Sequence, residues 1–271
     1  MDYILETECS HKVRRKVIEM AWKSKSSHIA SALSIVDILV MLYFRYLNIN
    51  PKNPYDKDRD IFILSKGHSC SALYAVLAYR GFFHIDLLEG YDKDGTAFTG
   101  HPKVYSVPGI EATTGSLGHG LPIGAGFALG SRNDGRCRKV VVLLGDGECD
   151  EGSIWESAMF ASGRNLDSLI AVIDYNKLQG MGRTSEVTGL EPLNDKWRAF
   201  GWNTIEIDGH NFKELDEAFS RAFNTGNCKP TVVIAHTIKG KGISFMENKL
   251  EWHYKSPDDK EFSQALEELK Y

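Results

Sequence analysis

Two apolar runs, each ending in an oxygen-bearing side chain, constrain this chain more than anything else in it. Val140-Val141-Val142-Leu143-Leu144 leads into Gly145-Asp146-Gly147, and Leu169-Ile170-Ala171-Val172-Ile173 leads towards Asn176-Lys177-Leu178. Short apolar runs of this kind are what strands buried in a parallel sheet look like. In open parallel sheets, ligands sit at the carboxyl ends of the strands. An Asp carboxylate, an Asn carbonyl and a nearby backbone carbonyl make an incomplete shell of hard oxygens. Mg²⁺ is held that way, with phosphate oxygens and water in the remaining positions. The plainer reading of Asp146 is a turn residue capping a helix that begins near Glu151.

Strands and helices alternate along the rest of the chain. A basic amphipathic helix is expected over 11–24 and a very apolar one from about Ile35 to Leu47, stopping before Asn50-Pro51. Ile61-Phe62-Ile63-Leu64 reads as the first strand, followed by Ser65-Lys66-Gly67-His68 and a helix to about Arg80. Residues 84–114 are rich in Gly, Pro and Thr, and a loop that long in a compact domain is usually functional. A small-residue helix is expected from about Leu117 to Leu129, a strand over 139–144, a helix from Glu151 to Arg164 and a strand over 169–174. Trp197 falls in a short helix. Thr204–Ile207 is a strand, Phe212–Phe223 a helix, and Thr231–Ala235 a strand ending at His236. The pattern predicts an α/β fold with a doubly wound, mostly parallel sheet. Nearly every informative polar residue falls just after a strand, along one edge of that sheet.

Composition narrows the function classes. With 271 residues and 42% apolar content, the chain can bury one large core. A net charge of −4 gives no case for nucleic acid or an anionic membrane surface. No apolar stretch reaches the ~18 residues that span a bilayer. Met1-Asp2-Tyr3-Ile4-Leu5-Glu6 lacks the design of a signal peptide. The five cysteines are odd in number and show no Cys-x-x-Cys spacing, as expected of free thiols in the cytoplasm.

Four histidines stand beside Gly, Ser or Trp in turns: His28 in Ser26-Ser27-His28-Ile29, His68 after the first strand, His101 in Gly100-His101-Pro102 and His253 in Glu251-Trp252-His253. Gly-Asp-Gly followed after 28 residues by Asn resembles the thiamine diphosphate fingerprint. The ordered set His28, Ser65–His68, Gly100–Pro102, Thr113–Gly118, Gly145–Gly147 with Glu151 and Glu156, Asn176-Lys177 and His253 resembles the amino-terminal half of transketolase. The resemblance covers nearly the whole chain.

That resemblance implies a thiamin diphosphate-binding fold and a set of roles. Asp146, Asn176 and the backbone carbonyl of Leu178 would bind Mg²⁺, or Ca²⁺ or Mn²⁺ in its place. His68 and His253 would contact the diphosphate and Gly147 would approach it, while Gly115, Ser116 and Leu117 would meet the aminopyrimidine side. Glu148 and Glu151 would complete the cofactor site. His28 and His101 would hold sugar hydroxyls or move protons, and His68, His253 and Glu156 join them as catalytic candidates. Glu151 and Glu156 also resemble carboxylates near a subunit interface; otherwise they read as a solvated first helical turn. Lys239 and Lys241, in a glycine loop, could hold a substrate phosphate, but the expectation is that both are solvated.

The resemblance also implies ketol transfer and a missing part. Residues 1–271 match the diphosphate- and metal-binding domain, and the pyrimidine domain, with its activating glutamate, is absent. A split transketolase follows, with a separate carboxy-terminal subunit, sugar phosphate substrates and an α2β2 assembly. Three positions depart from the family pattern: Tyr175 for a first Asn, Ser27-His28-Ile29-Ala30 for Gly-His-Pro-Gly, and His119 for Gln. The second departure lies near the expected substrate channel and points to a changed acceptor, such as a modified or nucleotide-linked sugar. A 2-oxoacid donor with a sugar acceptor is the other enzyme reading.

Overall fold

Four strands buried almost throughout and a fifth, alternating strand at one edge dictate a sheet covered on both faces, and that is the architecture of the computed structural model, which describes residues 2–270. The strands are β1 (Ile61–Leu64), β2 (Val140–Gly145), β3 (Leu169–Tyr175), β4 (Asn203–Asp208) and β5 (Thr231–His236). They lie in the order β1-β2-β3-β5-β4, and every neighbouring pair is parallel. Side chains alternate across the sheet. Phe62, Leu64, Val141, Leu143, Ile170 and Val172 enter one core, and Ile61, Ile63, Val140, Val142, Leu169 and Ala171 enter the other.

The first core is covered by α1 (Ile4–Ser24), α2 (Ile29–Leu33), α3 (Val36–Met41) and α4 (Cys70–Arg80), with α9 (Phe212–Phe223) and α10 (Asp259–Glu268). The second is covered by α5 (Gly120–Asn133), α6 (Gly152–Gly163) and α8 (Leu193–Ala199). A short helix, α7 (Thr184–Val187), lies in the β3–α8 connection. The five cysteines are all free thiols, and no helix among the described residues is long and apolar enough to cross a membrane.

Several boundaries differ from the sequence expectation, each for a physical reason. α1 begins at Ile4, because Glu6, Cys9 and Ser10 continue its buried face. The apolar stretch expected as one helix at 35–47 is α3 followed by a wide π-helical turn at Leu42–Tyr46, and α2, just before it, was not expected. Every residue from Ile29 to Tyr43 is buried, so the sequence carries no polar period to mark the breaks. α5 starts at Gly120, since Gly118 has φ 82°, a conformation that a helix cannot contain. α10 was not expected. It has a reciprocal cap between Asp258 and Glu261, and Phe262 stacks on Trp22 of α1 at 4.3 Å. Residues 84–114 are irregular as expected, apart from a helical turn at Ile85–Gly90.

One buried ionic cluster locks the first layer to the sheet edge. Arg14 of α1 grips Asp37 of α3 with both terminal nitrogens, at 3.0 and 2.6 Å, and its Nε donates to the Lys241 carbonyl. His210, in the turn after β4, accepts from the Ile238 N–H at Nε2, so its proton sits on Nδ1 and is donated to Asp37 at 2.8 Å. Burial alone would raise the Asp37 carboxyl, but Arg14 and His210 outweigh it and hold it well below the usual carboxylate range. The stabilisation is present above the unfolded value of about 4 and is lost as pH falls towards the folded one. Asp37→Asn is therefore expected to cost about 3–5 kcal/mol at pH 7 by urea denaturation. The gap to the wild-type protein should narrow below pH ~4. A gap that does not change with pH would show that the carboxylate is not the source.

Candidate active site

All four chain segments that leave β1, β2, β3 and β5 at their carboxyl ends converge on one cavity of about 570 Å³. Its floor is an ion pair that sequence reasoning missed. Lys66, just past β1, places its ammonium 2.5 Å from Asp174 of β3, and both side chains are almost fully buried. Ser34 and Thr237 donate to the same carboxylate, as does Asn176 Nδ2 at 3.2 Å. Burial pushes the Asp174 carboxyl up, yet Lys66 and the hydroxyl donors prevail and its pKa is lowered. The signal was in the sequence: an acid within an apolar strand must find a partner when buried.

Asp146 and Asn176 sit one residue beyond β2 and β3, side by side, and both are buried. The Asp146 oxygens accept only backbone N–H groups, from Gly147 at 2.7 Å and Lys177 at 2.6 Å. No ammonium or guanidinium pairs with this carboxylate among the described residues. Burial, followed by the charge of Asp174, raises its pKa to about 6. A buried carboxylate in that state fits a cation. The Asn176 Oδ1 accepts from the Leu178 N–H at 3.0 Å, and the Leu178 carbonyl accepts from Lys239 Nζ at 2.9 Å. Each of these oxygens keeps a second lone pair, so the donor set suits a hard divalent ion completed by phosphate and water.

The cavity's cationic side corrects the expectation for Lys239. Its ammonium is buried at 1% exposure and bonds Leu178, Gln179 and His253 Nδ1. Burial, then Lys66, lowers its pKa to about 8. Lys241 is partly exposed and lies 4.0 Å from Glu247, outside the cavity. His28, His68 and His253 cluster, with ring centroids 4.9–5.9 Å apart. Burial drives the His68 pKa well below its ordinary value, and burial with Lys239 pushes His253 down to about 3. These rings are neutral near pH 7 and can donate to anionic oxygens without adding buried charge.

Of the other sequence candidates, Gly115, Leu117, Gly147, Glu151 and His101 line the same cavity. Gly115 has φ 151° and a Cβ there would lie 3.0 Å from the His101 ring; a Cβ on Gly147 would lie 2.9 Å from Gln179. Both positions require glycine for close approach. Ser116 is exposed between Gly115 and Leu117 and does not line the cavity. Glu148 is buried in the wall, with its oxygens occupied by Ser65, the Gly118 N–H and the Gly145 N–H. It fastens three strand and helix ends rather than presenting a free carboxylate.

Glu156 is not brought to the cavity. It is exposed on α6, five residues beyond Glu151 and so about 7 Å further along the helix. Exposed Met181 and Tyr254 form the rim, which sequence reasoning did not anticipate. Asp150 holds that rim by accepting from Gln179 and Thr188.

Comparisons with known proteins agree with one another. Residues 5–271 match the family model described as transketolase, thiamine diphosphate binding domain. The 6-deoxy-6-sulfo-D-fructose transketolase subunit SqwG of Clostridium sp. (strain MSTE9) is 45% identical over 257 residues, which span 95% of this chain and 93% of that protein. One of the subunits of the apulose-4-phosphate transketolase of Phocaeicola vulgatus is 41% identical over 260 residues, 96% of this chain and 92% of that one. The structure is similar to that of transketolase from Campylobacter jejuni, with a TM-score of 0.93 at 27% identity, covering 99% of this chain and 43% of that chain.

The floor of the site has a measurable signature. Lys66→Met strands a buried carboxylate and is expected to cost about 3–5 kcal/mol in urea denaturation. The double variant Lys66→Met with Asp174→Asn should recover much of that loss. Equal midpoints for Lys66→Met and the wild-type protein would show that the pair does not hold the strand ends together.

Proposed function

This chain belongs to the transketolase family, and from that premise we propose that it is the diphosphate- and metal-binding subunit of a two-chain transketolase. The reading is that it transfers a two-carbon ketol unit from a ketose donor to an aldose acceptor. The observation that carries it is Asp146: a buried carboxylate at a strand end, met only by two backbone N–H groups. With Asn176 and the Leu178 carbonyl it would hold Mg²⁺, or Ca²⁺ or Mn²⁺, against a diphosphate.

When bound, thiamine diphosphate supplies the nucleophilic thiazolium carbon and the electron sink for carbon–carbon cleavage. The chain's own residues bind and position. His68 and His253 would meet the anionic diphosphate with ring N–H donors, and Lys239 would favour it through its positive charge. Gly147 lets backbone approach it. Gly115 and Leu117 would border the aminopyrimidine side. His28 and His101 stand where a sugar's hydroxyls would lie and would hold or move their protons. Glu151, at the cavity wall, and Glu156, on exposed α6, would face other chains.

We infer a separate subunit that covers the pyrimidine and brings the activating glutamate, in an α2β2 complex working in the cytoplasm. The two relatives' names, 6-deoxy-6-sulfo-D-fructose transketolase and apulose-4-phosphate transketolase, denote ketoses with an acidic end group. A ketose carrying a phosphate or sulfonate is therefore the substrate class we infer here. No observation favours a 2-oxoacid donor or a nucleotide-linked acceptor over that reading.

The test mixes this chain with its partner subunit, thiamine diphosphate and Mg²⁺, and follows ketol transfer from phosphorylated and sulfonated ketoses. Turnover is expected only with both chains. Asp146→Ala should weaken cofactor binding by calorimetry at least ~100-fold, since removing even a group that merely orients a metal ligand costs about 10- to 100-fold. Turnover by this chain alone, or unchanged cofactor affinity in Asp146→Ala, would overturn the reading.

A further inference from the structure

His28 is held in an unusual way. It lies just before α2 with a left-handed backbone, φ 66°, and its N–H donates to the His253 carbonyl at 2.9 Å. A β-unbranched but bulky residue holds that conformation only when its surroundings over-determine it. The ring is bounded by His68, His253 and Tyr254, at centroid distances of 5.1, 4.9 and 6.2 Å. Its Nδ1 is 2.8 Å from the Ser27 hydroxyl. Among the described residues, Nε2 has no hydrogen-bond partner, and the Ser27 hydroxyl has none besides His28.

His28 also stands between two spaces. It lines the main cavity and an adjoining chamber of about 340 Å³, whose wall includes Ser26, Ser27, Asp92 and Thr99. Ser27 lines only the smaller chamber and is half-buried. The hydroxyl therefore touches the ring on one side and reaches the outer chamber on the other.

The geometry points to Ser27 as a positioning residue for His28, one that holds its ring and relays its Nδ1 proton to the outer chamber. This rests on the ketol-transfer reading above. A serine hydroxyl both donates and accepts. When Nε2 carries the proton and donates to a sugar oxygen, Ser27 donates to Nδ1. When Nε2 accepts from a sugar hydroxyl, the proton rests on Nδ1 and is donated to Ser27. A proton that arrives at Nε2 is matched by one leaving Nδ1 for Ser27 Oγ, whose own proton passes to water in the chamber. The ring changes tautomer and never carries a lasting charge.

The surroundings make that useful. Burial, then the charges of His101, Lys239 and Lys66, hold the His28 pKa below its ordinary value. His68, His253 and the Tyr254 hydroxyl, with Tyr91 and Asp92 across the smaller chamber, are the other titratable groups around it. An imidazolium here would be costly, whereas a neutral ring that exchanges tautomers is not.

The test compares two variants within the complete two-chain complex: Ser27→Ala, which keeps size and removes the hydroxyl, and Ser27→Thr, which restores it. Ser27→Ala should lower kcat about tenfold or more with cofactor affinity and KM changed less than twofold, and Ser27→Thr should return kcat to within about threefold of wild type. In ¹⁵N NMR of labelled protein, with His28→Gln used for assignment, Ser27→Ala should shift the His28 ring nitrogens, and Ser27→Thr should not. The inference is overturned if Ser27→Ala leaves both kcat and the nitrogen shifts unchanged, or if the two variants lose kcat equally. If the wild-type complex transfers no ketol unit, the functional reading fails by itself, and the nitrogen shifts still decide whether Ser27 sets the tautomer.

Discussion

The buried contact between Lys66 and Asp174 is the constraint around which the rest of the site is arranged. It joins the segment after β1 to the carboxyl end of β3, across β2. Two charges out of water cost several kcal/mol each, and only close geometry with further donors compensates. The further donors come from Ser34 at the end of α2 and Thr237 after β5. The Lys66 ammonium also donates to the Ser31 carbonyl of α2. Satisfying one buried carboxylate thus fixes the relative positions of four segments, and the histidines and the oxygens of Asp146 and Asn176 are carried on or beside those segments.

Charge in the cavity is distributed to receive anions. Lys66 is neutralised by Asp174, while Lys239 rests against carbonyls and a neutral histidine. Three histidines are held uncharged by burial and by these ammonium groups. Asp146 faces the opposite need, because it has no cation of its own. A diphosphate with a divalent ion would supply both missing signs at once. That complementarity is a property of the donor set, and it explains why the same small volume holds both a buried lysine and a buried unpaired aspartate.

The parts legible in the sequence were those with local signatures. Parallel strands buried on both faces read as unbroken apolar runs, so β1, β2, β3 and β5 and the polar residues at their ends were found. The histidines and glycines were found because they stand in turns beside those runs. What failed to show depends on partners far away in sequence. Nothing near Lys239 tells that it is buried 61 residues from the carbonyl it bonds. Asp174 and Lys66 are 108 residues apart. Glu148 looked like a site carboxylate until its three internal donors were seen. Helix α2 and the change from α3 to a π-helical turn were hidden because a stretch buried all round has no period. By contrast α10 carries a local signal, the reciprocal cap between Asp258 and Glu261, and it was nonetheless not expected.

The hydrogen bond from the His28 N–H to the His253 carbonyl has a consequence for the chain's synthesis. It joins residues 225 positions apart and completes the wall in which three histidines meet. On a ribosome, chains emerge from the amino terminus at about 5–20 residues per second, and domains fold as units. The helices α1 to α4 will be exposed for many seconds before β5 and the segment around residue 253 arrive. During that time the cavity lacks Lys239, His253 and Tyr254 from its lining. A nascent chain stalled short of residue 253 therefore lacks one wall of the cavity.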